Sequence, residues 1–438
     1  MLKKILLTLS LLSTALSAPA FSQTTAQKPA PSETIAIHGG KLLTVSHGVI
    51  ENGVVVMQNG KITAIGGANT AIPKSAKVID ATGMTVYPGL IDSETHFGLT
   101  EISADRMTND TLENSDEVMP HMHVYDAFHA ETALIPVARI NGITNAVVAP
   151  ANGDTLPGQD SFIQLAGKSA DEMILVRDIA MPMNFTGAQR RNQSFETAKF
   201  PFTRMGMAAQ LRQAFMDAQD YEQKLAAYEK KKSADADKAG APPKHDLKLE
   251  ALLPYLHGQK PVVLAAEESN DVQTAMGLAR EFHLKVILNH LTHAGSVLDL
   301  VAASGFPVIV GPIYAKPKES DRYDAVFRLP AEMAKRGIKI AFASYEAHNS
   351  RNLPYAAGYA TAFGLSPEEA LKAITLNPAQ MFGVDKDLGS LDVGKTANVV
   401  VANGDPLDVK TDVKHVFIAG QEIPLVNKQT ELRDQYWK

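Results

Sequence analysis

Apolar and polar residues alternate in short runs over residues 34–87, in the stretches TIAIHGGKLLTV, GVVVMQNGKITAIG and KVIDATGMTVY. A period of two marks half-buried strands. Asn59-Gly60 sits between two such runs, a strong signal for a tight hairpin. This small β unit cannot close a core alone. Residues 388–424 carry the same pattern, so the two segments are expected to pair into one β-sandwich built from both ends of the chain. Between them the pattern changes. Continuous apolar runs occur at 143–149, 162–166, 261–266, 285–291, 307–313 and 338–344, and helical patterns at 271–283, 295–304 and 330–336 separate the later ones. Strands apolar on both sides imply a sheet covered on both faces. Strand-then-helix units at this spacing predict an α/β fold: a (β/α)8 TIM-like barrel over 88–384, with an open doubly wound sheet as the other topology. No glycine-rich dinucleotide loop supports the second.

Two further stretches are read as helix. Residues 205–232 become heavily charged toward their end and predict an exposed helix followed by a solvated linker. Ser366-Pro367-Glu368-Glu369 opens a helix with a capping box and proline in its first turn. The N-terminus changes the picture in another way. Lys3 and Lys4 precede an apolar run from Ile5 to Leu16, and small residues follow at Ala18-Pro19-Ala20 and Ala20-Phe21-Ser22. This predicts a signal peptide over 1–22 and a polar, disordered leader over 23–33, hence a periplasmic or secreted protein. The run is too short to span a bilayer, so no membrane span is expected after cleavage. Sandwich segments at 34–87 and 385–438 then flank the barrel.

Composition narrows the chemistry. A net charge of −6 without a basic stripe argues against a nucleic-acid partner. With no cysteine, any metal must be held by His, Asp, Glu or a modified Lys. The stretch Tyr87-Pro88-Gly89-Leu90-Ile91-Asp92-Ser93-Glu94-Thr95-His96-Phe97-Gly98 is the strongest candidate. As a strand it projects Asp92, Glu94 and His96 to one side, and a carboxylate and an imidazole two residues apart can grip one cation. A Glu–His hydrogen bond without metal fits the same spacing.

This stretch resembles the first-strand signature of the amidohydrolase superfamily, Pro-Gly-Leu-Ile-Asp-x-His-x-His-x-Gly, with Glu94 at the first histidine. The resemblance is to the imidazolonepropionase-like branch and runs over nearly the whole chain beyond the signal. It implies a barrel with a companion sandwich, a divalent metal held at the strand ends, a small-molecule substrate, and hydrolysis of non-peptide C–N bonds in cyclic or linear amides. Carried over by position, Glu94, His96 and His290 would hold one metal, expected to be Zn²⁺. The strand-five position falls on Ala265 and the strand-eight aspartate on Tyr345, and the strand-four run 178–184 has no lysine. Glu346 is the nearest carboxylate for moving a proton. His348 and Arg351 follow in the same loop, where Arg351 could clamp a substrate carboxylate or form a rim ion pair. Glu267, Glu268, His293 and the pair His121 and His123 are read as loop or second-rank residues, and the loop Asn152–Asp160 as a shaped turn. Two other functions stay open: a barrel retained as a binding or partner subunit after its metal site decayed, and a dipeptidase of the same superfamily. Pairing into a homo-oligomer is possible.

Overall fold

The computed structural model describes residues 33–113, 115–185, 200–318 and 321–437. The signal expected at 1–22 and all but the last residue of the leader lie outside them.

Five strands open the chain: β1 (Ile35–Leu43), β2 (Val49–Gln58), β3 (Lys61–Gly66), β4 (Lys77–Asp80) and β5 (Thr85–Pro88). Asn59 and Gly60, with φ of 52° and 77°, turn β2 into β3 as the Asn-Gly pair predicts. Three strands near the other end, β14 (Val399–Ala402), β15 (Val413–Ile418) and β16 (Gln421–Glu422), join the same sheet through an antiparallel ladder between β14 and β5. The sheet order is β16-β15-β14-β5-β1-β2-β3, with β4 on the other part of the β1 edge. Its β3 edge folds back onto the segment leading into β14: Ile62 N–H donates to Lys395 O, and Ala397 N–H to Gly60 O. Ile37, Met57, Ile62, Val399 and Phe417 fill the space so enclosed.

The second sheet runs through β6 (Leu90–Thr95), β7 (Ile143–Val148), β8 (Asp160–Gln164), β9 (Ile174–Asn184), β10 (Val262–Glu268), β11 (Val286–His293), β12 (Val308–Val310) and β13 (Ile340–Phe342). One residue from each of the eight, Ile91, Val147, Phe162, Ile179, Val263, Ile287, Ile309 and Ala341, meets in a single apolar cluster, the barrel interior. Truncating a residue such as the fully buried Phe162 there costs about 3–5 kcal/mol. The barrel expected from the pattern is present with one departure: β8 runs antiparallel to both β7 and β9, because only a loop and no helix connects β7 to it.

The seam between β6 and β13 closes without a strand ladder. The stretch expected as one helix after Ser366 breaks into Pro367–Lys372 and Leu376–Met381. Pro378 has no N–H to offer Ile374 O. Ile374 O instead accepts from Ile91 N, and Ala373 O from Phe342 N, so the break caps β6 and β13 together. Nearer the mouth, Ser344 N–H donates to Asp92 Oδ1 and Tyr345 N–H to Glu94 O.

Candidate active site at the barrel mouth

Above the apolar layer the barrel turns polar. Ala265 and Asn289 lie two residues beyond Val263 and Ile287 and so repeat their inward direction one layer higher. The ladders align Asn184, Ala265 and Asn289 side by side across β9, β10 and β11. Glu94, on β6, enters this layer and is buried. Asn289 Nδ2 donates to its Oε2 at 2.5 Å and Asn152 Nδ2 to its Oε1 at 3.1 Å. Burial pushes the Glu94 carboxyl up to about 7, against the pull of the two amides, with the neighbouring Asp92 charge adding to the rise. Asp92 is raised to about 7 in the same way by burial, opposed by the Ser344 hydrogen bonds.

His290 is the second fixed point. It follows Asn289 and in a regular strand would face away from it. Its φ of 74° rotates the backbone, and the ring turns toward Asn152. Nδ1 lies 3.0 Å from Gly311 O, which can only accept, so Nδ1 carries the proton. Nε2 is then the acceptor for Asn152 Nδ2 at 3.0 Å. Burial lowers His290 to about 4, against the Gly311 hydrogen bond, and the ring is neutral at physiological pH. Tyr345 stacks on it with centroids 4.7 Å apart and donates its hydroxyl to Asn289 Oδ1 at 2.9 Å. Tyr345 also has positive φ, 59°, and Leu291 55°. Left-handed backbone at non-glycine residues costs on the order of 1–3 kcal/mol each and gathers at functional sites.

His96 parts from this group. The strand ends at Thr95 and the chain turns, so the alternation that would align His96 with Glu94 no longer applies. Its Nδ1 donates to Ala149 O at 2.8 Å. Burial lowers its pKa, and the charge of Glu346 works the other way. Glu346 lies beyond the end of β13, exposed, with Asn349 Nδ2 donating to its carboxylate at 2.7 Å. His348 Nε2 lies 3.0 Å from Glu101 O on the rim. Arg351 reaches the C-terminal helix Lys428–Tyr436, where its guanidinium donates to Gln429 Oε1 at 2.5 Å. His348 and Arg351, expected to bind substrate, thus make rim contacts in this structure. Glu268 pairs with Lys318 at 2.9 Å and Arg204 at 3.3 Å, and His293 with Asp321 at 3.1 Å. His123 pairs with Asp178 at 2.8 Å, away from Glu94.

Sequence reasoning missed Asn152 and Asn289. An asparagine inside the apolar run KVILNHL was a usable signal, since a buried strand keeps a polar side chain only where it has partners. Asn152 carried no such mark. Its place is set by the loop after β7, whose backbone accepts from Asn184 Nδ2 at Asn152 O.

The comparisons bear on what this mouth is. Residues 285–423 match the Amidohydrolase family. The crystal structure of an amidohydrolase from Thermotoga maritima MSB8 superposes with a TM-score of 0.80 at 27% identity, covering 89% of this chain and 99% of that one. In sequence over residues 285–423 and in fold over most of its length, the chain resembles the amidohydrolase superfamily. Within it the similarity is to the imidazolonepropionase-like branch: the imidazolonepropionase of Sphingopyxis alaskensis is 26% identical over 83% of this chain and 89% of its own length. Amidohydrolase tasK of Hapsidospora irregularis is 24% identical over 84% of this chain, which spans only 39% of that longer protein.

Members of this superfamily typically use divalent metals, and the residues present do not fit one. Among the described residues no three His, Asp or Glu side chains come together to hold an ion. The expected trio is reduced to Glu94 and His290, with His96 turned to Ala149. Ala265 offers only a methyl group, and the Tyr345 hydroxyl is spent on Asn289.

Proposed function

We propose that this amidohydrolase-superfamily chain hydrolyses a non-peptide C–N bond in a small cyclic or linear amide at the mouth of its barrel. The observation that carries the reading is the meeting of Glu94 from β6 and His290 from β11 on one amide group at the strand ends, where barrels of this kind place their chemistry. Each Glu94 oxygen keeps a second lone pair beside its amide donor. Glu94 takes the proton of an attacking water and returns it to the leaving nitrogen. A carboxyl near 7 suits both halves of that task, and activity rises with pH as Glu94 ionises. His96, in the field of Glu346, serves the outer side of the mouth, with Glu346 as a second proton carrier. Arg351, engaged with Gln429, favours amides over dipeptides as substrates. Export to the periplasm or beyond belongs to the same reading. It rests on residues 1–22, and cell fractionation with and without them tests it. No described helix is long and apolar enough to cross a membrane.

The test is an assay of cyclic amides, linear amides and dipeptides with wild type, Glu94→Gln and His96→Ala. Turnover of an amide that falls about 10²–10⁴-fold in Glu94→Gln supports the reading. Turnover indifferent to both substitutions defeats it. Ala265 and Tyr345, standing where relatives are expected to carry ligands, favour a second reading, a barrel kept as a binding or partner subunit. That reading expects a folded wild type with no turnover on any of the three classes.

A further inference from the structure

The Asn152 amide has two hydrogens and meets two acceptors: a Glu94 oxygen at 3.1 Å and the His290 Nε2 lone pair at 3.0 Å. These are the two lone pairs a divalent ion would use, at about 2.0–2.2 Å each. The other side of each acceptor group is also settled. Asn289 Nδ2 holds the second Glu94 oxygen, and Gly311 O holds the His290 Nδ1 proton. Asn152 is itself anchored, since its carbonyl oxygen accepts from Asn184. Where a third and fourth protein donor would be needed, the register places Ala265 between Asn184 and Asn289, and Tyr345 covers the His290 face. Two anionic or imidazole donors fall short of the three that open zinc sites use.

We propose that Asn152 stands in for the divalent ion: it is the positioning residue that holds Glu94 and His290 together, and the folded chain takes up no stoichiometric zinc or manganese at this mouth. A neutral amide performs one part of the ion's work, joining a carboxylate to an imidazole, and leaves both in fixed orientation. It supplies no positive charge, so the proton transfers fall to the side chains. The proposal rests on the mouth being the functional site but not on any turnover.

The experiment uses the full chain purified without chelator and dialysed against Zn²⁺ or Mn²⁺. Bound metal is measured by mass spectrometry, thermal stability is measured with and without the ion, and the His290 ring nitrogens are observed by ¹⁵N NMR. The expected wild type carries well under one ion per chain, shows no rise in Tm with Zn²⁺, and keeps the neutral Nδ1–H tautomer with Nε2 unchanged by zinc. Asn152→Ala is expected to shift the Nε2 resonance, which a residue that merely packed would leave in place. Asn152→Asp adds a third anionic donor and, where it folds, is expected to bind zinc. One zinc per wild-type chain that moves the Nε2 resonance and is lost in His290→Ala overturns the proposal, and the hydrolase reading survives that result. An absence of turnover does the reverse.

Discussion

Glu94 and Asp324 are both buried carboxyls with two nitrogen groups donating to them, yet their acidities move in opposite directions. Glu94, in the mouth, receives two neutral amides, and burial carries its pKa up to about 7. Asp324 begins the helix Ala325–Lys335 and receives the guanidiniums of Arg322 and Arg328, which hold it well below the usual carboxylate range. Burial alone therefore does not mark a carboxyl as functional. The charge of its partners decides whether it is available to carry a proton at neutral pH or locked as a structural anion. The same contrast separates the centre of the mouth from its rim, where Glu268 faces Lys318 and Arg204 and Asp321 pairs with His293.

The sharpest way to break this comparison is a stability–pH profile. A carboxyl whose folded pKa lies above its unfolded value binds more protons when folded, so stability falls as pH rises between the two. For Glu94 the window runs from about 4.5 to about 7. Its contribution should decline across that window by on the order of 3 kcal/mol. Glu94→Gln should flatten this part of the profile in urea unfolding measured from pH 5 to 8, and an unchanged slope would place the titrating group elsewhere. Asp324 has the opposite sign. Its stabilisation is present above the unfolded carboxylate pKa and is lost as pH falls through the folded one. Asp324→Asn should thus lower Tm at pH 7, with the deficit shrinking toward acid.

A smaller effect sharpens the account of the centre. Tyr345→Phe keeps the ring stacked on His290 and removes only the hydroxyl that donates to Asn289. It should cost about 1 kcal/mol in unfolding free energy. With Asn289 less firmly oriented, the pH optimum should move as well, whereas a purely structural hydroxyl would leave the optimum fixed. The smallest expected effect lies at the rim. Arg351→Ala removes a contact to Gln429 and should change stability by no more than about 0.5 kcal/mol, because exposed polar pairs contribute little. KM for an amide substrate should stay within about twofold, and a large rise in KM would return Arg351 to the binding site.

Much of the architecture was legible in the order of residues. Alternation over 34–87 and near 388–424 is a property of each segment alone, and so is the Asn59-Gly60 turn. The apolar runs of the barrel are equally local, because a strand buried on both faces must be apolar throughout. The sequence also singled out Glu94 and His290 as candidates, one in a motif and the other at the end of a strand. It could not decide which side chains meet. Whether His96 joins Glu94 depends on the strand ending at Thr95, and whether His290 faces Asn152 depends on a positive φ within β11. Asn152, Asn184 and Asn289 come from three distant stretches and converge only because the barrel brings their strand ends together. Period and propensity act over a few residues, whereas a hydrogen-bond network is selected by the whole closed sheet, and that is why the site waited for the tertiary structure.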